Sequence, residues 1–362
     1  MSTVLAAGSL AFGGRLAGAV DCDIHAGVPR VQALYPYLPD YWRDFMRDSE
    51  NPNLEPNTWP ANSPLSARPG SRAAQEPAGS DPALLRTQVL DATGARCAIV
   101  NCPYGIAALR NEYWAAAMAT ALNDWMAAEW LAGEARLLGS IVVAPQSPEA
   151  AVKEIERLAP DPRFVQVLLP ARTEMPLGRR HYWPIFEAAE RHGLPVCIHA
   201  GGGAGNPTMP VGWAYYYVED YAAHAQAAQT QLVSLVSEGV FSKFPRLRLV
   251  FAECGWTWLP SLAWRFDKNW KGLRREIPWV DRLPSAIIRE HCRFTLQPVD
   301  APDEPRHLLE TFDMAGGEDL LLFSSDWPHW HDDAEDPLPA GLSPEAERKL
   351  LVTNAEGIYR LP

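Results

Sequence analysis

The feature that most constrains the fold is a regular alternation of short apolar runs with helical segments. Eight apolar runs are each followed by a helical stretch, beginning with "AVDCDIHAG" and ending with "DLLLFSSDWPH". Eight successive βα units predict a single (β/α)8 TIM barrel of the α/β class, in which parallel strands form a closed core. A doubly wound open sheet is the alternative, but that fold gives no reason to stop at eight units.

Helix-start signals support these boundaries. Asp81, Ser147 and Ser343 each precede a proline, a pairing typical of an N-cap followed by the first helical position. Residues 26–79 break the alternation, because their prolines exclude a long helix or a central strand. We therefore predict one domain over residues 1–362, with residues 26–79 as a Pro-rich excursion that could serve as a lid.

Composition excludes several classes of partner. The chain has 362 residues and a formal net charge of −12, which argues against binding to nucleic acid or to an anionic membrane surface. No apolar run approaches the roughly 18 residues of a membrane-spanning helix. The first 20 residues are rich in small apolar side chains but lack a basic region, which predicts a cytoplasmic protein rather than an exported one. Six cysteines without a CxxC motif predict reduced core thiols.

Ionisable residues lie on the first strand and at the ends of later ones. Residues two apart on a strand point to the same face, so Asp21, Asp23 and His25 are expected to share one side of the first strand. The functional residues of such barrels lie at the carboxyl ends of the strands. Further candidates therefore follow strands five, six and eight: His199, Glu253, Asp326, His329 and His331.

This convergence predicts a metal site. Carboxylate oxygens and imidazole nitrogens suit a divalent cation, with Zn²⁺ the first choice and Mn²⁺ the second. A cation would also neutralise charges that are otherwise costly to bury. We expect one ion to be held by four side chains from three strands, namely Asp23, His25, His199 and Asp326.

Each candidate also has a structural interpretation. His199 could be a hydrogen-bonded core histidine. The glycines after it favour a ligand-binding role, because the backbone can approach a ligand closely at glycine. Glu253 could support the structure rather than react, and His329 and His331 could be polar loop residues, His329 being the better candidate. Asp21 is expected to contact the ligands from behind or to cap the start of the strand, rather than to bind the metal itself. A non-enzymatic metal-binding protein remains a third, less favoured interpretation.

Several motifs together resemble the amidohydrolase superfamily, in the branch of aminocarboxymuconate semialdehyde and γ-resorcylate-type decarboxylases. "DCDIH" is similar to the family's first-strand DxHxH or ExH motif, "IHAGG" to its fifth-strand histidine motif and "SSDWPH" to its eighth-strand aspartate motif. "LVSLVSEGVFSKFPRLRLVFAECG" resembles a further block of the family. The resemblance spans residues 20–361 and implies a metal-dependent enzyme with a small-molecule substrate.

One departure from the family bears on the reaction. Glu253 stands where the family's decarboxylases carry a catalytic histidine on strand six. For this reason we expect a hydrolase of a small cyclic or aromatic acid, amide or lactone, acting through a metal-activated water with Asp326 as proton carrier. The alternative is a non-oxidative decarboxylase of an aromatic or muconate-type acid, in which Glu253 or His329 protonates the ring carbon.

A cluster of tryptophans indicates association between subunits. Of the 14 tryptophans, several lie between Trp256 and Trp279 at helical spacing. This is more aromatic area than one helix face usually hides, so some of these side chains are expected in the core and others at an interface. We therefore expect a homodimer or a larger homo-oligomer.

Overall fold

The barrel is complete in the computed structural model, which describes residues 14–49, 66–73, 76–201, 205–330 and 338–362, with Leu54, Trp59 and Ser63. One parallel sheet has its strands in chain order. They are β1 Val20–His25, β2 Cys97–Asn101, β3 Leu137–Val142, β4 Phe164–Pro170, β5 Val196–His199, β6 Leu249–Ala252, β7 Cys292–Thr295 and β8 Leu321–Leu322. Cys22 N donates to Phe323 O at 2.9 Å and His25 N donates to Trp327 O at 2.7 Å, which joins the last strand to the first. The predicted (β/α)8 fold is confirmed.

Helices connect successive strands. The α-helices of the described residues are α1 Asp40–Asp48, α2 Pro82–Leu85, α3 Glu112–Met126, α4 Pro148–Leu158, α5 Trp183–His192, α6 Tyr217–Ser237, α7 Val240–Lys243, α8 Leu259–Leu273, α9 Pro284–His291, α10 Pro305–Ala315, α11 Gly317–Leu320, α12 Pro344–Arg348 and α13 Asn354–Glu356. Short 3-10 segments are Val31–Tyr37, Ile106–Ala108 and Arg180–Tyr182, and π segments are Arg86–Asp91, Ala127–Leu131 and Lys349–Thr353. Asp81 and Ser343 cap α2 and α12 with side-chain hydrogen bonds, as expected, whereas Ser147 precedes α4 without such a bond.

The apolar residues form two clusters. The larger cluster includes the residues packed between the strands and the surrounding helices. The smaller one contains Cys22, Ile99, Val165, Val250 and Leu322 from five strands, together with Tyr359 near the C-terminus. All six cysteines are buried and free, so the prediction of reduced core thiols is confirmed.

The two ends of the Pro-rich excursion meet at its base. Its described part contains the segment Val31–Tyr37 and α1. Gly27 N donates to Gly79 O at 2.7 Å, which brings the two ends of the excursion together. Gly79 has φ +75°, a left-handed conformation that glycine adopts without strain. The lid role stays a prediction, and residues 1–13 and His331 lie outside the described residues.

The tryptophan-rich segment divides between core and surface. Trp256 is fully buried, whereas Trp264 and Trp279 are 59% and 43% exposed. The expected mixture of core and surface tryptophans is present, and association between subunits stays a prediction. Among the described residues, no helix combines the length and apolar character needed to cross a membrane.

Asn123 of α3 ties that helix to the end of β3, and its removal should destabilise the fold. Its Nδ2 donates to Val142 O and to Glu154 Oε1, both at 2.8 Å, and its Oδ1 accepts from Val142 N at 2.9 Å. Asn123→Leu keeps the approximate size but leaves buried groups without partners. We expect the free energy of unfolding, measured by urea denaturation, to fall by about 3 kcal/mol.

Thr120 provides the matched control on the same helix. Its hydroxyl donates a single hydrogen bond to Glu154 Oε2 at 2.9 Å from a half-buried position. Thr120→Val should therefore cost less than about 1 kcal/mol. Equal losses in the two variants would contradict the anchoring role of Asn123.

Candidate metal centre

Three predicted ligands meet at the carboxyl ends of β1 and β5. Asp23, His25 and His199 each offer a ligand atom, and these atoms all lie within 4.8 Å of one another. All three side chains are buried. Asp23 Oδ1 lies 3.7 Å from His25 Nε2 and 3.5 Å from His199 Nε2. Parallel strands end at one face of the barrel, so residues far apart in sequence reach one point.

A second group shares His25 with the first. Ligand atoms of His25, Glu253, Asp326 and His329 also lie within 4.8 Å of one another. Asp326 Oδ1 is 2.6 Å from His25 Nε2 and 3.0 Å from His329 Nδ1. Glu253 Oε1 is 3.5 Å from His329 Nδ1. The structure therefore brings together all six described residues that were predicted for the site.

Two buried atoms of the first group have no hydrogen-bond partner. They are Asp23 Oδ2 and His199 Nε2. A buried polar atom without a partner is costly, and a bound cation would satisfy a carboxylate oxygen and an imidazole nitrogen together. The donor set of oxygens and nitrogens therefore fits a divalent metal ion.

The backbone is strained where two of these residues are presented. Glu253 follows β6 with φ 57°, and Asp326 follows β8 with φ 53°. Non-glycine residues adopt this left-handed region infrequently, and strain of this kind concentrates at functional sites. Glu253 N donates to Thr295 Oγ1 and Asp326 N donates to Asp23 O, both at 3.0 Å. These bonds hold both turns in place, so the two carboxylates are aimed by the backbone itself.

Asp21 does not join either group of ligands. The pairing of β1 with β2 is irregular between Asp21 and Ile24, which interrupts strict alternation along the strand. The expectation that Asp21 shares one face with Asp23 and His25 is not met for this reason. Asp21 Oδ1 instead accepts from the backbone N–H of Asp23 and Ser325, and burial raises the pKa of Asp21 to about 7. A supporting role, as expected, agrees with these contacts.

Opposing charges set the protonation of two histidines. Burial lowers the pKa of His199, but Asp23, Glu253 and Asp326 outweigh burial and raise it to about 9. Burial likewise opposes the charge on His329, while Asp326 and Glu253 raise its pKa to about 10. In the absence of a metal, the surrounding carboxylates therefore favour the protonated form of both imidazoles.

Sequence reasoning missed three residues beside this centre. Asn101, the last residue of β2, donates from Nδ2 to Asp23 Oδ1 at 2.7 Å. Tyr217 and Tyr221 lie on α6, and burial together with the Glu253 carboxylate raises the pKa of each phenol. Asn101 carried a usable signal, since it is a polar residue ending an apolar strand, whereas the two tyrosines sit in an aromatic run without a distinctive pattern.

The comparisons with known proteins extend over nearly the whole chain. The family model described as Amidohydrolase matches residues 20–361. A γ-resorcylate decarboxylase from a Rhizobium species is 26% identical over 297 residues, covering 76% of this chain and 86% of that protein. One from a Polaromonas species is 24% identical with the same coverage. The names of these relatives favour the alternative expectation, decarboxylation, over the hydrolase expectation.

Solved structures share the fold. A 5-carboxyvanillate decarboxylase from Novosphingobium aromaticivorans, complexed with manganese and 4-hydroxy-3-methoxy-5-nitrobenzoic acid, superposes with a TM-score of 0.70 at 20% identity. The match covers 96% of this chain and 97% of that one. A 2,6-dihydroxybenzoate decarboxylase from Rhizobium gives a TM-score of 0.67 at 22% identity, covering 94% and 98% of the two chains.

The raised pKa of His329 predicts how stability depends on pH. An imidazole titrates near 6.5 in the unfolded chain, so a folded pKa of about 10 stabilises the metal-free protein fully below pH 6.5. This stabilisation is lost as the pH rises through the folded value. In the chelator-treated wild type, this loss should lower the free energy of unfolding by about 1.4 kcal/mol per pH unit between pH 7 and 9. We expect His329→Gln to remove this contribution to the slope. Urea denaturation at several pH values measures it.

His307 supplies the control for this experiment. It lies exposed on α10, away from the carboxylates of the centre. His307→Gln should keep the wild-type dependence of stability on pH. If His329→Gln keeps that dependence too, the ion pairs at His329 do not stabilise its charged form.

Proposed function

The chain belongs to the amidohydrolase family, and from this premise we propose that it is a divalent-metal-dependent decarboxylase of a small aromatic carboxylic acid. The observation that carries the proposal is the position of His329, an imidazole able to act as an acid, whose Nδ1 lies 3.0 Å from Asp326 and 3.5 Å from Glu253 within the ligand cluster. Decarboxylation of an aromatic acid needs such an acid, because the ring carbon must gain a proton. Similar proteins named for γ-resorcylate, 2,6-dihydroxybenzoate and 5-carboxyvanillate support this class of substrate.

We assign the metal to Asp23, His25, His199 and Asp326. The partnerless Asp23 Oδ2 and His199 Nε2 support this assignment, as does the contact between His25 and Asp326. These residues would hold a divalent cation, which would supply positive charge to attract the carboxylate of the substrate. Manganese in similar decarboxylase structures favours Mn²⁺, while Zn²⁺ suits the same donors.

Glu253 has a defined place in this scheme. An imidazole that binds metal through Nε2 carries its proton on Nδ1, and that proton is usually given to a carboxylate or a carbonyl oxygen. Glu253 Oε2 lies 3.6 Å from His199 Nδ1, while Gly201 N–H approaches the same nitrogen at 3.0 Å. The Glu253 carboxylate therefore places a negative charge beside the His199 ring, while the Gly201 N–H donates to Nδ1. It thus orients His199 on one side and stabilises the charge of His329 on the other.

His329 is the proton donor in the proposed reaction. Its proton passes to the ring carbon that bears the carboxylate, and the bond between this carbon and the carboxylate carbon then breaks. CO₂ leaves, and the electron pair of that bond restores the aromatic ring. Asp326 and Glu253 hold the imidazole in position through Nδ1, so Nε2 is the nitrogen that faces the substrate and later regains a proton from solvent.

A small apolar cavity of about 20 Å³ lies beside His199. Tyr104, Ile106, Val142 and Leu168 line it near the carboxyl ends of β3 and β4. Its apolar lining suits contact with part of an aromatic substrate bound beside the ligand cluster. The protonated phenols of Tyr217 and Tyr221 supply hydrogen-bond donors on the side of α6.

Release of CO₂ distinguishes the proposed reaction from hydrolysis. With Mn²⁺ added, the protein should release CO₂ from at least one hydroxylated benzoic acid in a panel, without incorporating ¹⁸O from labelled water into the aromatic product. His199→Ala should lose both bound metal and turnover, because it removes one of the four ligands. Elemental analysis and CO₂ detection measure the two effects. Incorporation of ¹⁸O would identify a hydrolase, and full activity of His199→Ala after chelation would remove the metal assignment.

Variants at His329 and Glu253 separate the acid from its support. His329→Gln should lower kcat by about 10²–10⁴-fold, the usual contribution of a general acid, while the protein still binds Mn²⁺. Glu253→Gln should have a smaller effect on kcat but shift the pH–rate profile, since it removes a charge that both histidines face. Glu253→His, the residue of the family's decarboxylases, should keep decarboxylase activity. His307→Gln is the control. An unchanged kcat in His329→Gln would assign the acid elsewhere.

A further inference from the structure

A chain of hydrogen bonds crosses the barrel interior from the C-terminal segment to Asp23. Tyr359 Oη donates to Gln166 Oε1 at 3.0 Å. Gln166 Nε2 donates to Ser140 Oγ at 2.8 Å and to Asn101 Oδ1 at 3.1 Å, and Ser140 Oγ donates to Asn101 Oδ1 at 2.6 Å. Asn101 Nδ2 then donates to Asp23 Oδ1 at 2.7 Å. The chain links β1, β2, β3 and β4 to Tyr359.

Every member of this chain is removed from solvent. Asp23, Asn101, Ser140 and Gln166 have no exposed surface, and Tyr359 is 5% exposed. Water therefore cannot replace a lost partner without entering the packed interior. In such surroundings an unsatisfied polar atom carries its full desolvation cost, which makes the chain act as a unit.

Donor and acceptor roles along the chain are fixed from both ends. An ionised carboxylate only accepts, so Asn101 must turn its NH₂ group toward Asp23. Its oxygen then faces Ser140 and Gln166, and the oxygen of Gln166 faces Tyr359. Burial raises the pKa of Tyr359 well above 10, so its hydroxyl remains a donor. Donation runs in one direction only, from Tyr359 to Asp23.

We propose that Tyr359 is a positioning residue for the metal ligand Asp23, acting through the buried chain of Gln166, Ser140 and Asn101. This inference rests on the proposed function, because it takes Asp23 as a ligand of the metal. The chain occupies Asp23 Oδ1 and leaves the buried Oδ2 without a partner. Partners behind a metal ligand that fix its orientation commonly change metal affinity by 10–100-fold when they are removed.

The segment that carries Tyr359 is held firmly in place. Tyr359 packs in the interior apolar cluster with Cys22 and Leu322. Around it, Arg96 contacts Glu356 at 2.6 Å and the backbone oxygen of Pro362 at 2.8 Å, and Arg360 donates to His192 O at 2.5 Å. The hydroxyl therefore reaches Gln166 from a fixed base, at the end of the barrel opposite the metal centre.

Loss of the Tyr359 hydroxyl should loosen the chain. Without this donor the buried Gln166 Oε1 has no partner, so the Gln166 amide shifts and its bonds to Ser140 and Asn101 weaken. Asn101 keeps its NH₂ group on the Asp23 carboxylate, because an ionised carboxylate only accepts, but its oxygen is then held less firmly. Asp23 therefore loses part of the support that fixes its orientation for the metal.

Manganese affinity of the full-length metal-free protein tests the proposal. Tyr359→Phe keeps the ring and removes only the hydroxyl, and we expect its Mn²⁺ dissociation constant to rise about tenfold, measured by electron paramagnetic resonance. Tyr182→Phe is the control, since Tyr182 is equally buried and its hydroxyl bonds to Thr173 instead. It should bind Mn²⁺ as the wild type does. An equal, unchanged affinity in both variants overturns the inference.

A double variant tests whether the effect travels through the chain. Once Asn101→Ala has cut the chain, adding Tyr359→Phe should not weaken Mn²⁺ binding further. If the dissociation constant of the double variant instead rises by the product of the two single effects, Tyr359 acts independently of the chain. Gln166→Met, which removes the middle donor and acceptor, should weaken binding as Tyr359→Phe does, and it carries the test if Tyr359→Phe does not fold.

Asp23→Ala separates this inference from the proposed function. If Asp23→Ala binds Mn²⁺ like the wild type, the proposed ligand set is wrong and the inference falls with it. If Asp23→Ala loses the metal while Tyr359→Phe and Gln166→Met bind it normally, the metal site stands and the positioning role of Tyr359 is overturned. Circular dichroism confirms that each variant is folded before it is compared.

Discussion

The close contact between His25 and Asp326 is the interaction on which the centre depends. Asp326 has no exposed surface and His25 very little, and the two side chains meet at 2.6 Å. A charged carboxylate in such a position is costly unless an opposite charge, a hydrogen bond or a metal compensates it. The barrel provides this compensation, because it brings the first and last strands side by side and places their carboxyl ends at one face. Residues 301 positions apart in the chain therefore act as direct neighbours.

The sequence allowed the barrel and the position of its centre to be predicted. Alternating apolar runs and helical segments are local patterns, and eight of them in succession favour one closed sheet. His199 and Asp326 could be placed because each stands at the end of a strand, where the fold itself determines the neighbours. The position of Glu253 was predictable for the same reason. Its left-handed backbone was not, since nothing in the residue type favours that conformation.

What could not be predicted depends on contacts between distant segments. The irregular pairing near Asp21 removes it from the face of Asp23, and such a break in register leaves no mark in the pattern of apolar residues. In the sequence, Gln166 is only a polar residue inside a strand and Tyr359 only an aromatic residue near the C-terminus. Their hydrogen bond is visible only in the folded structure. The hydrolase expectation rested on Glu253 alone, whereas relatives that match 76% of the chain are named as decarboxylases and favour the alternative expectation.

The left-handed turn at Glu253 also bears on how such a site can change during evolution. Histidine, asparagine and aspartate are enriched in this conformation, whereas β-branched residues are excluded from it by their shape. The backbone that presents Glu253 therefore accepts histidine without rebuilding the strand end, and it rejects valine or isoleucine. Replacement of this one residue can exchange a carboxylate for an imidazole while the proposed metal ligands stay in place. Substitution at this position can therefore change the group that exchanges protons without disturbing the fold. Only a few residue types fit the backbone there.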